Sequence, residues 1–418
     1  MIIYKALSVL AYPFIELYLI YRTFKGKEDK KRLKERFARA TVDFPTQEEA
    51  KVIWIHAVSI GEANSALTIV GDLIRADPKN YVLLTSTTLT SASIIDEQIK
   101  KYNGKLIHQF LPIDSLYIVR AFLEYWKVKI AVFVESEIWP NLINEAKASG
   151  ARTVLVNARM SDKSAKSWKL AKNLGFKIFN KFDLILAQSL ADQEKLQRLT
   201  KKDVLYFGNL KSESSSLIPN EKELTKLKSQ IGKRKIFLAS STHSPEEQII
   251  IKAHNELKEK FPDLLTIIIP RHPNRSEEIS KMLEGIKFAK RSAKEKITAK
   301  TEIYLADTLG ELAAFYKLSN FTFIGASLSE DGGHNPFEPI KLGCAVISGK
   351  NVKNFQEVYD DLSKAAGCII LQKASQLPEI VEKLIIDPKK AKDLNKNANA
   401  QIKSSTQVKE RVVRAILN

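Results

Sequence analysis

Cysteine is nearly absent from this 418-residue chain, with only Cys344 and Cys368 present. That scarcity excludes a disulfide framework. Both open short apolar runs, 344–347 and 368–371, without paired metal-ligand spacing, so buried, reduced thiols of a cytoplasmic domain are expected. His272 and His334 offer imidazoles, but no acidic pair at ligand spacing accompanies them. The sequence therefore calls for no metal and no cofactor. Long apolar runs are missing too. Residues 1–21 are mostly apolar and aromatic, yet Lys5, Pro13 and Glu16 interrupt them, whereas a clean membrane span wants about 20 apolar residues. No small-residue cleavage site follows, which excludes a secretory signal. Basic clusters such as Lys30-Lys31-Arg32 and Lys389-Lys390-Ala391-Lys392 lack interleaved aromatics, which argues against nucleic acid as a partner.

What is present is an ordinary globular composition, 44% hydrophobic and 27% charged, with a formal net charge of +18. The length suits two or three domains. The positive charge points to an anionic membrane surface or a phosphate-bearing ligand. Arg22, Lys25, Lys27, Lys30, Lys31, Arg32, Lys34, Arg36 and Arg39 directly follow the apolar start. A flank of this kind belongs on the cytoplasmic side and is attracted to anionic headgroups. Residues 1–39 are thus expected to anchor the chain to the inner face of the cell membrane, spanning it or lying in its interface. The competing reading is a helix packed on the protein's own surface.

From about residue 51, short apolar runs (52–56, 81–86, 130–134, 153–156, 183–187) alternate with helix-like stretches (62–75, 91–101, 140–149, 191–199). Continuous rather than alternating apolarity predicts strands buried on both faces of a parallel sheet. Residues 212–234 are Ser- and Lys-rich and carry Pro219, which reads as a linker with a polar helix. The rhythm restarts with 235–240, 264–269, 320–324, 345–348 and 368–371, and two final helices fill about 374–417. The predicted class is α/β, with two doubly wound Rossmann-like domains facing a central cleft behind an N-terminal apolar helix. The predicted boundaries are 40–211, a linker at 212–234, 235–400, and a C-terminal helix at 401–418.

Candidate chemistry lies at strand ends. After the run 52–56 comes Ser59-Ile-Gly61-Glu62. Gly61 is expected to permit a tight turn and Glu62 to start a helix, either as a base for an acceptor hydroxyl or merely as a helix cap. Glu135-Ser-Glu137-Ile-Trp139-Pro140-Asn141 follows 130–134. Its acids suit sugar hydroxyls, Glu135 could orient the base, and Glu137 has a capping alternative. Arg159, after 153–156, suits a phosphate or carboxylate, or else a structural ion pair, and Lys211 in Gly208-Asn-Leu-Lys211 follows the same logic.

In the second half, Ser241-Thr242-His243 precedes Glu246 and Glu247 at a predicted helix start, where backbone N–H groups can meet a phosphate. Arg271 and His272 follow 264–269 and offer cationic and polar groups to a nucleotide. Gly332-Gly333-His334-Asn335-Pro336-Phe337-Glu338 combines glycines for close backbone approach with an acid for ribose hydroxyls. Each loop could also be an ordinary capped turn. Three of them after strands of one sheet argue for a shared ligand.

Seven colinear motifs, Ser59–Glu62, Glu135–Asn141, Asn157–Ser161, Gly208–Lys211, Ser241–His243, Pro270–Pro273 and Gly332–Glu338, together resemble the bacterial Kdo (3-deoxy-D-manno-octulosonic acid) transferases over about residues 1–400. The resemblance implies an inverting, metal-independent GT-B glycosyltransferase. Its donor would be CMP-Kdo and its acceptor the 6'-hydroxyl of a tetraacylated lipid A precursor. It further implies Glu62 as general base and Glu135 as its acidic partner; to these we add Ser59, Gly61, Glu137 and Arg159 as candidate acceptor-side residues. Arg271, His272, Gly333, Asn335 and Glu338, with Ser241–His243, would serve the donor, to which we add Gly332, His334 and Lys211. Two positions depart from the family's pattern. Pro245 stands where glycine is usual, and Ser212-Glu213 where an aromatic and an Asp are usual. The alternatives are a GT-B enzyme using a UDP-sugar and a basic membrane- or RNA-binding protein.

Overall fold

In a computed structural model that describes residues 2–45, 49–213, 219–404 and 407–418, the chain forms two compact units. One is Met1–Ser215 with Thr406–Asn418, and the other is Ser216–Ser405.

The first unit holds strands β1 (Lys51–His56), β2 (Asn80–Ser86), β3 (Leu106–Phe110), β4 (Val128–Val134), β5 (Arg152–Ala158), β6 (Leu184–Ala187) and β7 (Val204–Tyr206). They pair in parallel in the order β3-β2-β1-β4-β5-β6-β7. Such a sheet must be covered on both faces. On one face Trp54 meets Phe122 and Phe133 edge-on at 5.0 and 5.3 Å, and its indole N–H donates to Thr85 Oγ1 at 2.9 Å. On the other face Ile53 and Ile55 pack with Ile69, Val70 and Leu73 of the helix Ile60–Ala76. The helix Val408–Leu417 joins that second layer through Val408, Val412 and Ile416, so the chain's last helix belongs to the first unit's core.

The second unit repeats the architecture with β8 (Ile236–Thr242), β9 (Leu265–Pro270), β10 (Phe288–Lys290), β11 (Ile303–Leu305), β12 (Phe321–Ile324), β13 (Ala345–Gly349) and β14 (Cys368–Leu371). The order is β10-β11-β9-β8-β12-β13-β14, again parallel. The helix Glu221–Ile231, inside the stretch read as linker, is capped by Asn220 and buries Leu227 and Ile231 in this unit's core. The strand reversal predicted for a doubly wound fold is present in both sheets, at β1/β4 and at β8/β12. Among the described residues, three helices rather than two fill the end of the chain: Leu377–Ile386, Pro388–Ser404 and Val408–Leu417.

The N-terminus forms two helices, Ile2–Leu10 and Tyr12–Phe24, with proline in the first turn of the second. No helix among the described residues is long and apolar enough to cross a membrane. The first helix is tied down: Tyr4 Oη donates to Asp114 Oδ2 at 2.7 Å, Lys5 Nζ to Glu145 Oε1 at 2.6 Å, and Asn141 Nδ2 to Ser8 Oγ at 2.9 Å. Leu7, Leu10, Phe14, Leu17, Tyr18, Tyr21 and Phe24 nonetheless remain more than half exposed. The basic flank needs correcting. Arg36 and Arg22 share Glu28 at 2.9 and 2.7 Å, and Arg32 pairs with the fully buried Glu35 at 2.9 Å. Arg36 also donates to the carbonyls of Thr87 and Leu111. Arg36 and Arg32, which also donates to His108 O at 3.0 Å, lock the segment onto the first unit, while Arg22 is held within the segment; the acids at 28 and 35 meet all three before any headgroup could.

Candidate functional site

In the first unit the sites converge at the carboxyl ends of β1 and β4, the sheet's switch point. Ser59 caps the helix Ile60–Ala76, accepting from the Glu62 amide at 3.3 Å, while Glu62 Oε2 accepts from the amides of Val58 and Ser59 at 2.6 and 3.1 Å. This reciprocal cap satisfies the helix's first donors. Gly61 is not at a tight turn. It is the second residue of the helix, beside Lys211 Cε. Glu62 is 7% exposed. Burial, then the negative charges of Glu135 and Glu137, push its carboxyl up to about 7 against the pull of the two amides.

Glu135 directly follows β4 with φ +61°, a costly conformation for a non-glycine residue that its neighbours must hold. Its amide donates to Val156 O, its carbonyl accepts from Arg159 N at 3.3 Å, and its carboxylate pairs with Lys211 Nζ at 2.5 Å. Lys211 is delivered there by Asn157, whose Oδ1 accepts from the Leu210 amide at 2.9 Å. The lysine read as a donor-site residue therefore belongs to the first unit's acid cluster. Glu137 accepts from Trp139 Nε1 at 2.8 Å and stands 3.8 Å from His56 Nε2, at the end of β1. The structure brings Glu62, Glu135, Glu137 and Lys211 together. Arg159 enters through its backbone, Ser59 as a cap and Gly61 as a helical position.

Asp114 and His56 were not singled out by the sequence. Asp114 Oδ1 and Oδ2 accept from the Leu142 and Asn141 amides, at 2.7 and 3.3 Å, which anchors the start of the helix Pro140–Ala148. Asp114 follows β3, whose interleaved His108 and Gln109 hid it as a strand. Ser86, His108 and Asp96 also make relay-like contacts (2.9 and 3.5 Å), but Arg32 lies 2.9 Å from His108 Nδ1 and Ser86 is fully buried, so that group is structural.

In the second unit the loops after β8, β9 and β12 bring His243, Arg271, His272 and His334 together. His243 stacks on His334 at 5.1 Å between ring centroids and meets His272 edge-on at 5.5 Å. Burial and the neighbouring His243 and Arg271 push the His334 imidazole down to about 3, so it is neutral at physiological pH. The arrangement suits a phosphate beside a flat ring. Two expectations change. The amides after β8 do not point at open space: Glu246, fully buried, accepts from the amides of His243, Ala326, Ser327 and Leu328 at 2.7–2.9 Å. Thr242 is fully buried and donates to Glu247 Oε1 at 2.8 Å, so its hydroxyl is structural. Gly332 and Gly333, at φ +89° and +77°, do allow a close approach, but to Asn354 and Val352 of the same chain. Asn335 Oδ1 accepts from the Phe337 amide at 3.0 Å, and its Nδ2 donates to Glu338 Oε1 at 3.3 Å. Glu338 is half-buried there and acts on the buried Tyr316. Among the described residues no group of three or more His, Cys, Asp or Glu is arranged to hold a metal ion.

Two doubly wound parallel sheets with polar clusters at their switch points define a GT-B-like fold. Residues 31–214 match the family described as 3-deoxy-D-manno-octulosonic-acid transferase (kdotransferase), and residues 221–401 match glycosyl transferases group 1. The chain is 33% identical to the 3-deoxy-D-manno-octulosonic acid transferase of Rickettsia bellii over 94% of its length and 92% of the relative's. It is 30% identical to that of Haemophilus influenzae over 96% and 93%. Among solved structures, a glycosyltransferase from Rickettsia africae aligns with a TM-score of 0.61 at 13% identity, over 88% of this chain and 99% of that one, which speaks for the fold. The chain belongs to the Kdo transferase family.

Proposed function

We propose that the protein moves Kdo from CMP-Kdo to the 6'-hydroxyl of a tetraacylated lipid A precursor, with inversion, in lipopolysaccharide biosynthesis. One observation carries the acceptor half: a buried carboxyl at about 7, beside a second acid already paired with a lysine. A base must be ionised enough to accept a proton yet basic enough to want it. Glu62 takes the proton as the hydroxyl attacks C2 of Kdo, and Glu135, held by Lys211, orients the acceptor. Arg271 and the His243–His272–His334 group bind the donor's phosphate, with Asn335 and Glu338 towards the ribose. Preorganised polar groups of this kind stabilise the charge that develops on the departing CMP. Purified enzyme incubated with CMP-Kdo and the lipid precursor should give products heavier by whole Kdo units in mass spectrometry. An unchanged precursor, with CMP released only by hydrolysis, refutes the assignment.

The same reading places the enzyme at the cytoplasmic face of the inner membrane. The exposed apolar side chains of Ile2–Leu10 and Tyr12–Phe24 support an interfacial rather than spanning attachment. Flotation with anionic vesicles tests it, and a chain that stays in the dense fraction overturns it.

A further inference from the structure

The helix Ile2–Leu10 is fixed to the first unit at three points, and all three lead to one element. Asn141, which donates to Ser8, lies in the first turn of the helix Pro140–Ala148. Glu145, which receives Lys5, lies farther along the same helix, is almost fully buried and also accepts from Arg120 at 2.7 Å. Asp114, which receives Tyr4 Oη, holds the amides of Asn141 and Leu142. Pro140–Ala148 is the helix that directly follows Glu135–Trp139, the acid loop. Asp114 is also within electrostatic reach of His56. His56 is fully buried and faces Glu137 Oε2 at 3.8 Å, and Glu137 acts on Glu62. Hydrogen bonds therefore tie the apolar N-terminal helix to Asp114 and the start of the helix Pro140–Ala148, and from there electrostatic coupling through His56 and Glu137 reaches Glu62.

The far side of that helix is the exposed one. Leu7 and Leu10, with Phe14, Leu17, Tyr18 and Phe24 of the next helix, face outward. One helix thus carries a surface suited to lipid and a set of hydrogen bonds to the acceptor loop. A tether alone would need only the first.

We propose that Tyr4 and Asp114 form a positioning pair through which seating of the N-terminal helices on an anionic lipid surface orders the loop Glu135–Trp139 and the first turn after it. This inference rests on the interfacial attachment and acceptor site proposed above. Neither residue touches the reacting atoms. Each acts through the start of the helix Pro140–Ala148. Lipid that holds the N-terminal helices keeps the Tyr4–Asp114 bond made and the Asn141 and Leu142 amides engaged. The acid loop is then held in place only where the acylated acceptor is available, which would limit unproductive proton removal away from the surface.

The test uses the full chain with vesicles of phosphatidylethanolamine and phosphatidylglycerol, and reads hydrogen exchange across residues 135–143. Wild-type protein should exchange about tenfold more slowly there when vesicles are bound, the scale of one hydrogen bond to a charged group. Tyr4→Phe keeps the ring and removes the hydroxyl. It should sediment with the vesicles as well as wild type does yet lose that slowing, and Asp114→Asn should lose most of it. A purely structural role would raise exchange equally with and without vesicles. Equal slowing in wild type and Tyr4→Phe overturns the coupling, as does vesicle-bound wild type without slowing. Failure of the wild-type chain to sediment with vesicles instead overturns the attachment on which the inference rests. The exchange readout needs no turnover, so an error in the proposed reaction would not be mistaken for either.

Discussion

Replacing Glu62 by Gln separates its cap from its proposed role as base, because the amide keeps the cap and removes the charge. The substituted side chain still presents an oxygen to the amides of Val58 and Ser59, which Glu62 holds at 2.6 and 3.1 Å. What changes is the cost of ionisation. The carboxyl stands at about 7 in the folded protein against an ordinary 4.5. At about 1.4 kcal/mol per tenfold change in proton affinity, ionising it in place costs roughly 3 kcal/mol more than in the unfolded chain. The sign follows from proton counting. The folded state binds the extra proton between 4.5 and about 7, so stability is lost as pH rises through that window and the loss is complete above it. Glu62→Gln should therefore differ little from wild type near about pH 4.5 and be more stable by as much as ~3 kcal/mol near about pH 8. Transfer should fall by roughly 100- to 10,000-fold, the range for removing a general base. Urea unfolding at the two pH values gives the first quantity, and product mass spectrometry the second. A variant less stable than wild type at the higher pH, or one with near-normal turnover, would refute the reasoning: Glu62 would then be a cap and nothing more.

Other perturbations probe the supports. Lys211→Met leaves Glu135 buried and uncompensated beside Glu62. It should cost about 3 kcal/mol of stability and move the acidic limb of the transfer–pH profile to higher pH. Gly325→Ala would set a Cβ 2.4 Å from Ser241 O and 2.6 Å from Thr242 Cα. It should destabilise the second unit by at least about 2 kcal/mol and weaken CMP binding in calorimetry. His254, fully buried against Thr266, is pushed by burial down to about 4. Stability of the second unit should accordingly fall as pH drops from 6.5 towards about 4, and acid titration of His254→Gln should show a shallower fall. Leu17→Glu with Phe24→Glu, both exposed, should leave the melting temperature unchanged and cut vesicle partitioning by at least about tenfold, since each apolar side chain contributes about 2 kcal/mol on burial.

The doubly wound class was legible because its central strands carry continuous apolar stretches, as in residues 130–134 of β4 and 267–269 of β9. The strands that composition hides are of two kinds. β3 carries His108 and Gln109 inward, made tolerable by Ser86 and by the indole N–H of Trp126, which donates to Gln109 Oε1 at 2.8 Å. β7, β10 and β11 are three residues each, too short for a run to register. The fate of Arg22, Arg32 and Arg36 was equally hidden. A basic cluster reads as a surface until one knows that Glu28 and Glu35 lie underneath it. The return of Val408–Leu417 to the first unit depends on contacts between residues far apart in sequence, such as Glu213 accepting from the Lys409 amide at 2.8 Å. No local pattern announces such a contact. The same holds for Gly332 and Gly333. A positive φ was foreseeable, but not that Asn354, rather than a ligand, would fill the space.

Base and cap stood as alternative readings of Glu62; the geometry shows the cap, and the proposed base role depends on it. Without the cap, burial and the charges of Glu135 and Glu137 would act on the carboxyl unopposed and raise it further. Without burial and those charges, two amide donors would keep it a weak, ordinary carboxylate with little affinity for a hydroxyl proton. The opposed effects leave it near 7, and the pairing of Glu135 with Lys211 sets how much of the second acid's charge Glu62 feels. The helix start is thus what tunes the acid. Moving Glu62 by one helical position should abolish transfer even with a carboxylate still in the first turn. Measured as turnover in Glu62→Ala/Ala63→Glu, recovery of activity would show that a nearby charge suffices and the capped geometry does not matter.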